Sequence, residues 1–236
     1  MAMGASGHTG SGRSFLPIPH PFALSLSNGC LSIYLKAGQG LDKLSPNGGW
    51  VPRVKKHALI AHPDSPAHAL RVGSKMTLVG ADVLKIQYVI VGSVGSILLP
   101  SVTSPGRQDE LWRHTCFEAF FAIDAGYFEF NFSPSRHYAA YHFEGYREGM
   151  QPVFLPVPSI DVEGDYVQGD DARYSLTAWL DLKLLAASGL GNVGLTAVIE
   201  GTDGTKSYWA LAHPPGPPDF HNPDCFTARL PAPDAP

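Results

Sequence analysis

Hydrophobic and polar residues alternate with a period of two along most of the chain after residue 57, which is typical of half-buried β-strands. Residues 72–78 and 84–91 show the pattern clearly. The same reasoning predicts further strands at residues 97–99, 112–123, 127–132, 138–146, 174–180, 193–200 and 207–211, and one near Phe226. A short helix is predicted at residues 182–187, with Asp181 as its N-cap and Gly189 as its terminator.

About ten short strands separated by turn residues indicate an all-β fold. The 25 Gly and 21 Pro support many turns. We therefore expect a two-sheet antiparallel β-sandwich, jelly-roll-like, with at most one or two short helices.

The first 56 residues differ from the rest. Residues 1–14 are mostly small and polar, and no sustained period follows up to Trp50. Residues 20–27 and 40–48 resemble the translated form of short repeats found between genes in some bacterial genomes. This resemblance implies a start codon assigned too far upstream, and a genuine flexible tail is the alternative. In either case we expect residues 1–56 to be a disordered or loosely ordered extension and the domain to span residues 57–236.

Composition and charge narrow the choice of partner and location. The net charge is −4 with Lys and Arg scattered along the chain, so nucleic acid is not expected as a partner. No apolar run is long enough for a membrane helix, and the first twenty residues lack a secretory signal pattern. Three cysteines favour reduced thiols and a cytoplasmic location, with one Cys116–Cys225 bridge as the alternative.

One predicted hairpin carries the most chemistry. If its turn is centred between Asp124 and Ala125, Glu118 lies opposite Asn131 and Phe120 lies opposite Glu129. Glu118, Glu129 and Asn131 then form a polar row on one face. Carboxylate and amide groups beside aromatic rings suit a sugar site, whereas a buried network that fixes strand pairing is the structural alternative.

The same hairpin sequence resembles the DOMON-like family, which is related to the family 9 carbohydrate-binding modules. The resemblance rests on residues 114–121 (HTCFEAFF), 129–134 (EFNFSP), 138–141 (YAAY), 146–150 (YREGM), 208–214 (YWALAHP) and 218–221 (PDFH). It implies a jelly-roll-like sandwich whose relatives bind sugars or, in some branches, haem. In the sugar-binding relatives two tryptophans clamp the ligand, and Trp112 and Trp209 are the candidates here. Tyr138 is a further aromatic candidate, and Arg107 is a candidate at the rim.

Metal binding is a rival chemistry. His114 and Cys116 would share a strand face, and His213 and His221 lie in a Pro-rich segment near the C-terminus. Zinc accepts such ligands, although the spacing matches no tight metal motif. Structural calcium is also possible, because sugar-binding relatives use it. Haem would need an axial His, Met or Lys in an apolar pocket.

Two features of the sequence bear on whether the protein is an enzyme. Glu118 and Glu129 are a carboxylate pair on neighbouring strands, but no nucleophile elbow is present. We therefore expect a non-catalytic module that binds a saccharide or sugar derivative on a sandwich face. The alternative is a regulatory or scaffold protein whose face binds another protein and no small ligand. An open aromatic groove would favour sugar, and a filled face with an exposed apolar patch would favour a protein partner.

Overall fold

Every second residue of the strand Val83–Gly92 is buried, as a hydrophobic period of two dictates. The structure is a computed structural model that describes residues 54–66, 69–79, 82–156, 158–165, 172–186 and 188–231. The predictions for residues 1–53 lie outside the described residues. The first described strand begins at Val54, three residues before the predicted start of the domain.

Thirteen strands make up most of the described part of the chain. They are β1 (Val54–Ala61), β2 (Leu70–Val79), β3 (Val83–Gly92), β4 (Gly106–Arg107), β5 (Cys116–Ile123), β6 (Gly126–Phe132), β7 (His137–Phe143), β8 (Gln151–Pro152), β9 (Ser159–Asp165), β10 (Arg173–Asp181), β11 (Asn192–Glu200), β12 (Lys206–Ala210) and β13 (Ala228–Arg229). Single 3₁₀ turns lie at Val94–Ser96, Leu111–Arg113 and Pro223–Cys225. No helix in the described residues is long and apolar enough to cross a bilayer.

The strands join into one curled, mixed sheet in the order β4-β7-β6-β5-β11-β12-β1-β2-β3-β10-β9. Strand β13 pairs with β11 and β8 pairs with β7, and the β4–β7 pair is parallel. Strand β1 forms the corner, because residues 54–59 pair with β2 whereas Ile60 and Ala61 pair with β12. The all-β prediction is confirmed. The pairing does not give the two separate sheets that were predicted, since β1 connects both halves by hydrogen bonds.

The curl brings the two arms of the sheet face to face over the main core. The rings of Tyr88 on β3 and Tyr174 on β10 lie 5.0 and 6.2 Å from the ring of Phe117 on β5. The Tyr88 hydroxyl also donates to the Glu118 carbonyl oxygen at 2.6 Å. Both arms thereby bury their apolar faces in one core, which is what stabilises the closure.

A second, smaller core lies on the opposite face of β5, β6, β7 and β11. The rings of Phe120 and Phe226 stack at 5.5 Å, and those of Tyr127 and Phe143 stack at 4.8 Å. Phe226 belongs to residues 211–227, a segment that we name the C-terminal strap. The strap covers this face of the sheet, so the polar row of the hairpin lies beneath it.

The predicted helix is confirmed as a single turn, α1 (Lys183–Ala186). The Asp181 side chain accepts a hydrogen bond from the Lys183 backbone N–H at 2.9 Å, as an N-terminal cap does. Gly189 has a φ of 65°, the left-handed conformation that favours glycine after a helix.

Candidate functional site

The β5–β6 hairpin has the predicted register. Glu118 pairs with Asn131 and Phe120 pairs with Glu129, because the turn falls between Asp124 and Ala125. Successive side chains of a strand point to opposite faces, so Glu118, Glu129 and Asn131 share one face while Phe130 and Phe132 enter the main core. The sequence therefore placed the polar row correctly on the sheet.

The polar row is buried and its members satisfy one another. Glu118, Glu129 and Asn131 are 3%, 5% and 0% exposed. The Asn131 side-chain amide donates to Glu129 Oε1 at 2.6 Å, and the Thr196 hydroxyl donates to Glu118 Oε2 at 3.0 Å. The thiol of Cys116 lies 3.8 Å from Asn131 Oδ1. This arrangement matches the buried network that was the structural alternative, and it keeps the row out of direct reach of a large ligand.

Burial also changes the protonation of the two carboxyl groups. Desolvation and the nearby charge of Glu129 raise the pKa of Glu118 to about 8, against the hydrogen bond from Thr196. Desolvation raises the pKa of Glu129 to about 7, against the hydrogen bond from Asn131 and the charge of Arg147. The row therefore holds a proton near neutral pH, since two close buried carboxylates cannot both ionise cheaply.

A chain of hydrogen bonds ties the C-terminal strap to the hairpin. The Tyr127 hydroxyl accepts the Arg147 backbone N–H at 3.2 Å and lies 2.7 Å from His221 Nδ1. His221 Nε2 faces Glu129 Oε2 at 3.9 Å. Arg147 and Tyr146 both donate to the carboxylate of Asp219 on the strap, at 2.7 and 2.6 Å. Sequence reasoning missed Tyr127 and the role of Asp219, because their partners are 94 and 72–73 residues away along the chain.

His221 is neutral at physiological pH. Burial, and then the positive charge of Arg147, lower its pKa to about 4. A neutral ring with its proton on Nε2 accepts from Tyr127 through Nδ1 and directs the N–H towards Glu129. The strap thus closes over the polar row with complementary hydrogen-bonding groups rather than with a charged pair.

Replacing Tyr127 by phenylalanine is expected to destabilise the domain by about 1–2 kcal/mol, because His221 Nδ1 and the Arg147 N–H lose their partner. Urea unfolding monitored by circular dichroism measures the change. Tyr208→Phe is the matched control, since Tyr208 packs on the same smaller core and its hydroxyl makes no hydrogen bond within the described residues. Equal midpoints for both variants would show that the Tyr127 hydroxyl does not hold the strap.

An accessible rim lies beside the buried row, on β4, β7 and the loop that follows β4. Arg107 forms a salt bridge with Asp109 at 2.7 Å, and the Tyr141 hydroxyl donates to Asp109 Oδ1 at 2.5 Å. The Arg107 guanidinium lies between the rings of Tyr141 and Phe154, at 5.6 and 5.3 Å. Phe154 is 79% exposed. Three residues beyond Asp109, Trp112 lies on a 3₁₀ turn and is 49% exposed.

The rim has its own electrostatics. The Arg107 hydrogen bond is the largest influence on the pKa of Asp109 and, with the bond from Tyr141, holds it below the usual value. Arg107 Nε is buried and has no hydrogen-bond partner in the described structure. The rim therefore combines an ionised pair, an unsatisfied donor and two exposed rings.

The other aromatic candidates lie in the main core. Trp209 is 4% exposed, and its indole N–H donates to the Ser207 hydroxyl at 2.9 Å. Tyr138 is 3% exposed and donates to the Leu155 carbonyl oxygen at 3.0 Å. Both point away from the polar row, because their neighbours Ala210 and Ala139 occupy the face of the smaller core. Of the two clamp candidates, the structure presents Trp112 alone to solvent within the described residues.

The structure disperses the predicted metal ligands. His114 Nδ1 contacts Glu200 Oε2 at 2.8 Å near the surface, and His213 Nε2 contacts the Ile60 carbonyl oxygen at 2.8 Å. Cys116 is a buried free thiol beside Asn131, and His221 faces Tyr127. Among the residues that the structure describes, no three His, Cys, Asp or Glu side chains are grouped to hold a metal ion. Cys225 is also a free thiol, so Cys116 and Cys225 do not form a bridge.

Comparison with known proteins identifies solved structures that share the fold of this chain. No family model matches the sequence, and no curated protein matches it either. Among solved structures, a "putative carbohydrate-binding protein" from Bacteroides uniformis matches with a TM-score of 0.50 at 13% identity, over 73% of this chain and 84% of that one. A family 9 carbohydrate-binding module from Caldicellulosiruptor kristjanssonii, in complex with cellotriose, matches with a TM-score of 0.40 at 10% identity, over 78% and 89% of the two chains. The chain therefore shares its overall fold with the Bacteroides uniformis protein.

Proposed function

We propose that this chain is a non-catalytic module that binds a saccharide at the rim formed by Arg107, Asp109, Trp112, Tyr141 and Phe154. The observation that carries the proposal is the exposure of two aromatic rings: Phe154 lies against the Arg107 guanidinium, and Trp112 lies on the 3₁₀ turn three residues beyond Asp109. Aromatic faces pack against the C–H faces of pyranose rings, and ionised groups bind hydroxyls strongly.

The geometry gives each rim residue a part in binding. Tyr141 and Arg107 orient Asp109, so its carboxylate is fixed before a ligand arrives. The Asp109 side chain is 58% exposed, so a ligand hydroxyl can donate to its carboxylate. Pre-oriented polar groups reduce the entropy lost on binding.

The buried row supports the rim from below. Glu129 pairs with Tyr141 across β6 and β7, so the network of Glu118, Glu129 and Asn131 fixes the strand that carries the Tyr141 ring. In this proposal the row positions the site and the rim makes the contacts. The fold shared with the Bacteroides uniformis protein supports the ligand class, although a fold alone does not set a function. We also propose, on the sequence resemblance, that the chain is related to the DOMON-like family.

Replacing Trp112 by alanine is expected to weaken saccharide binding about tenfold, because one lost stacking contact is worth about 1–1.5 kcal/mol. Isothermal titration calorimetry against neutral mono- and oligosaccharides measures it. The melting temperature should stay unchanged, since Trp112 is half exposed. Val79→Ala is the control, because Val79 is an exposed apolar residue on β2, away from the rim.

Two results would count against the proposal. Equal affinities of Trp112→Ala and the unaltered protein would place the ligand elsewhere. A complete lack of binding across the panel would overturn the saccharide proposal and favour the protein-partner alternative. Chromatography of the recovered sugars checks the non-catalytic part, because a module returns each oligosaccharide uncleaved.

A further inference from the structure

Three lysines gather on the outer face of the arm formed by β1, β2, β3 and β10. Lys56 pairs with Lys75 across β1 and β2, and Thr77 pairs with Lys85 across β2 and β3. Cross-strand partners point to the same face of a sheet, and the opposite face carries the fully buried Met76 and Ile86. We name Lys56, Lys75 and Lys85, with the residues between them, the basic face.

The basic face is electrostatically unfavourable as it stands. Like charges directly opposite each other on neighbouring strands destabilise a sheet. Burial, then the charges of Lys85 and Lys56, lower the pKa of Lys75. No carboxylate of the described residues forms a salt bridge with any of the three lysines. The acidic residues of this face are Asp161 and Glu163 on β9, beyond the width of β10, and Asp181 at the end of β10, which pairs with Val83 and accepts a hydrogen bond from the Lys183 backbone N–H.

An aromatic ring and neutral polar groups lie next to the lysines. Trp179 on β10 pairs with Lys85, whose Nζ lies 4.7 Å from the ring centroid. Thr177 pairs with Gln87, which in turn pairs with Lys75. The row therefore places ammonium groups, an amide and an indole ring on one face of the sheet.

We propose that the basic face is a second binding site and that it takes an anionic saccharide, one that carries carboxylate groups on pyranose rings. The lysines bind the carboxylates, and the Trp179 ring lies against the sugar beside Lys85. A ligand charge of opposite sign removes the mutual repulsion that the free protein carries. This site goes beyond the neutral saccharide proposed for the rim, because it lies on the other arm and selects for charge.

A saccharide fits this surface better than a nucleic acid does. The protein carries a net charge of −4, and the acidic strand β9 borders the same face, so a long polyanion is repelled along its length. A short or sparsely charged chain places its carboxylates on the three lysines and leaves β9 uncovered.

The test is calorimetric titration of the full chain with an oligogalacturonide, and with its fully methyl-esterified form as the neutral counterpart. We expect binding of the free acid, weaker binding of the ester, and an affinity that falls as salt increases. The double variant K75Q/K85Q should lose about tenfold or more in affinity, because charge-assisted hydrogen bonds are lost. K206Q/R229Q removes the same charge from β12 and β13, on the other arm, and should bind like the unaltered protein.

Three further measurements complete the test: the melting temperature of K75Q/K85Q, oligogalacturonide binding by Trp112→Ala, and binding of single-stranded DNA. K75Q/K85Q should unfold at the same temperature as the unaltered protein or a higher one, because repulsion is relieved. Trp112→Ala should retain oligogalacturonide binding, so failure at the rim and failure at the basic face are distinguishable. The proposal is overturned if K75Q/K85Q binds as before, if the ester binds as well as the acid, or if single-stranded DNA binds more tightly than the oligogalacturonide.

Discussion

Replacing Gly126 by alanine is expected to destabilise the domain by about 2–5 kcal/mol. Gly126 begins β6 with a φ of 98°, a conformation that costs an L-residue about 1–2 kcal/mol. A Cβ atom there would lie 1.8 Å from the Phe143 carbonyl oxygen, and the backbone shift that relieves this overlap adds about 1–3 kcal/mol. Urea unfolding measures the change. The dependence of the unfolding free energy on urea concentration should be the same for both proteins, so that a shift in midpoint reports stability.

Gly204→Ala separates the two contributions. Gly204 also has a positive φ, of 80°, but a Cβ atom there meets nothing within 4 Å. We therefore expect it to cost about 1–2 kcal/mol, the conformational part alone. If both variants were equally stable, β6 would not be held against Phe143 as tightly as the structure shows. Because Gly126 sets the register of Glu129 and Asn131, the same substitution should also weaken binding at the rim.

Unfolding free energy is expected to fall by about 2 kcal/mol between pH 6.5 and pH 8, or roughly 5 °C in melting temperature. Glu118 has a folded-state pKa of about 8 and an ordinary value of 4.5, so between these values the folded state holds a proton that the unfolded state has lost. Stability therefore decreases as pH rises through this window. Glu129, with a pKa of about 7, lowers the stability in the same direction, mainly in the lower half of this pH window.

His221 acts with the opposite sign at lower pH. Its pKa falls from 6.5 to about 4 on folding, so the unfolded state binds the extra proton and stability rises with pH between those values. At pH 6.5 half of the unfolded-state histidine is still protonated, so this contribution levels off only above about pH 7.5 and offsets about 0.4 kcal/mol of the decrease between pH 6.5 and pH 8. The net decrease should be measured by thermal unfolding at fixed ionic strength across this range.

The variant Glu118→Gln replaces the ionisable group by a neutral one of the same shape that still accepts from Thr196. We expect its stability to be much flatter between pH 6.5 and pH 8 and to exceed that of the unaltered protein at pH 8. Glu110→Gln, at an exposed position, should keep the original slope. An unchanged slope in Glu118→Gln would show that another group takes up the proton in this window.

The sequence by itself determined the local elements. A period of two predicted the strands, and the turn at Asp124 and Ala125 predicted the pairing of Glu118 with Asn131, because hairpin register follows from the position of the turn. Asp181 and Gly189 similarly predicted a short helix over residues 182–187, which the structure has as a single turn. In each case the interacting residues are close along the chain, so few alternatives compete.

The tertiary structure alone decided which surfaces a ligand can reach. Glu118 and Glu129 are buried because the C-terminal strap, about 90 residues away along the chain, folds over them through His221 and Asp219. Trp209 lies in the main core because β1 joins the two arms into one curled sheet, which no local pattern encodes. Lys56, Lys75 and Lys85 look scattered in the sequence, and only the cross-strand register of three strands brings them onto one face. Strand pairing over long distances depends on the packing of the whole chain, which is why the rim and the basic face could not be located from the sequence.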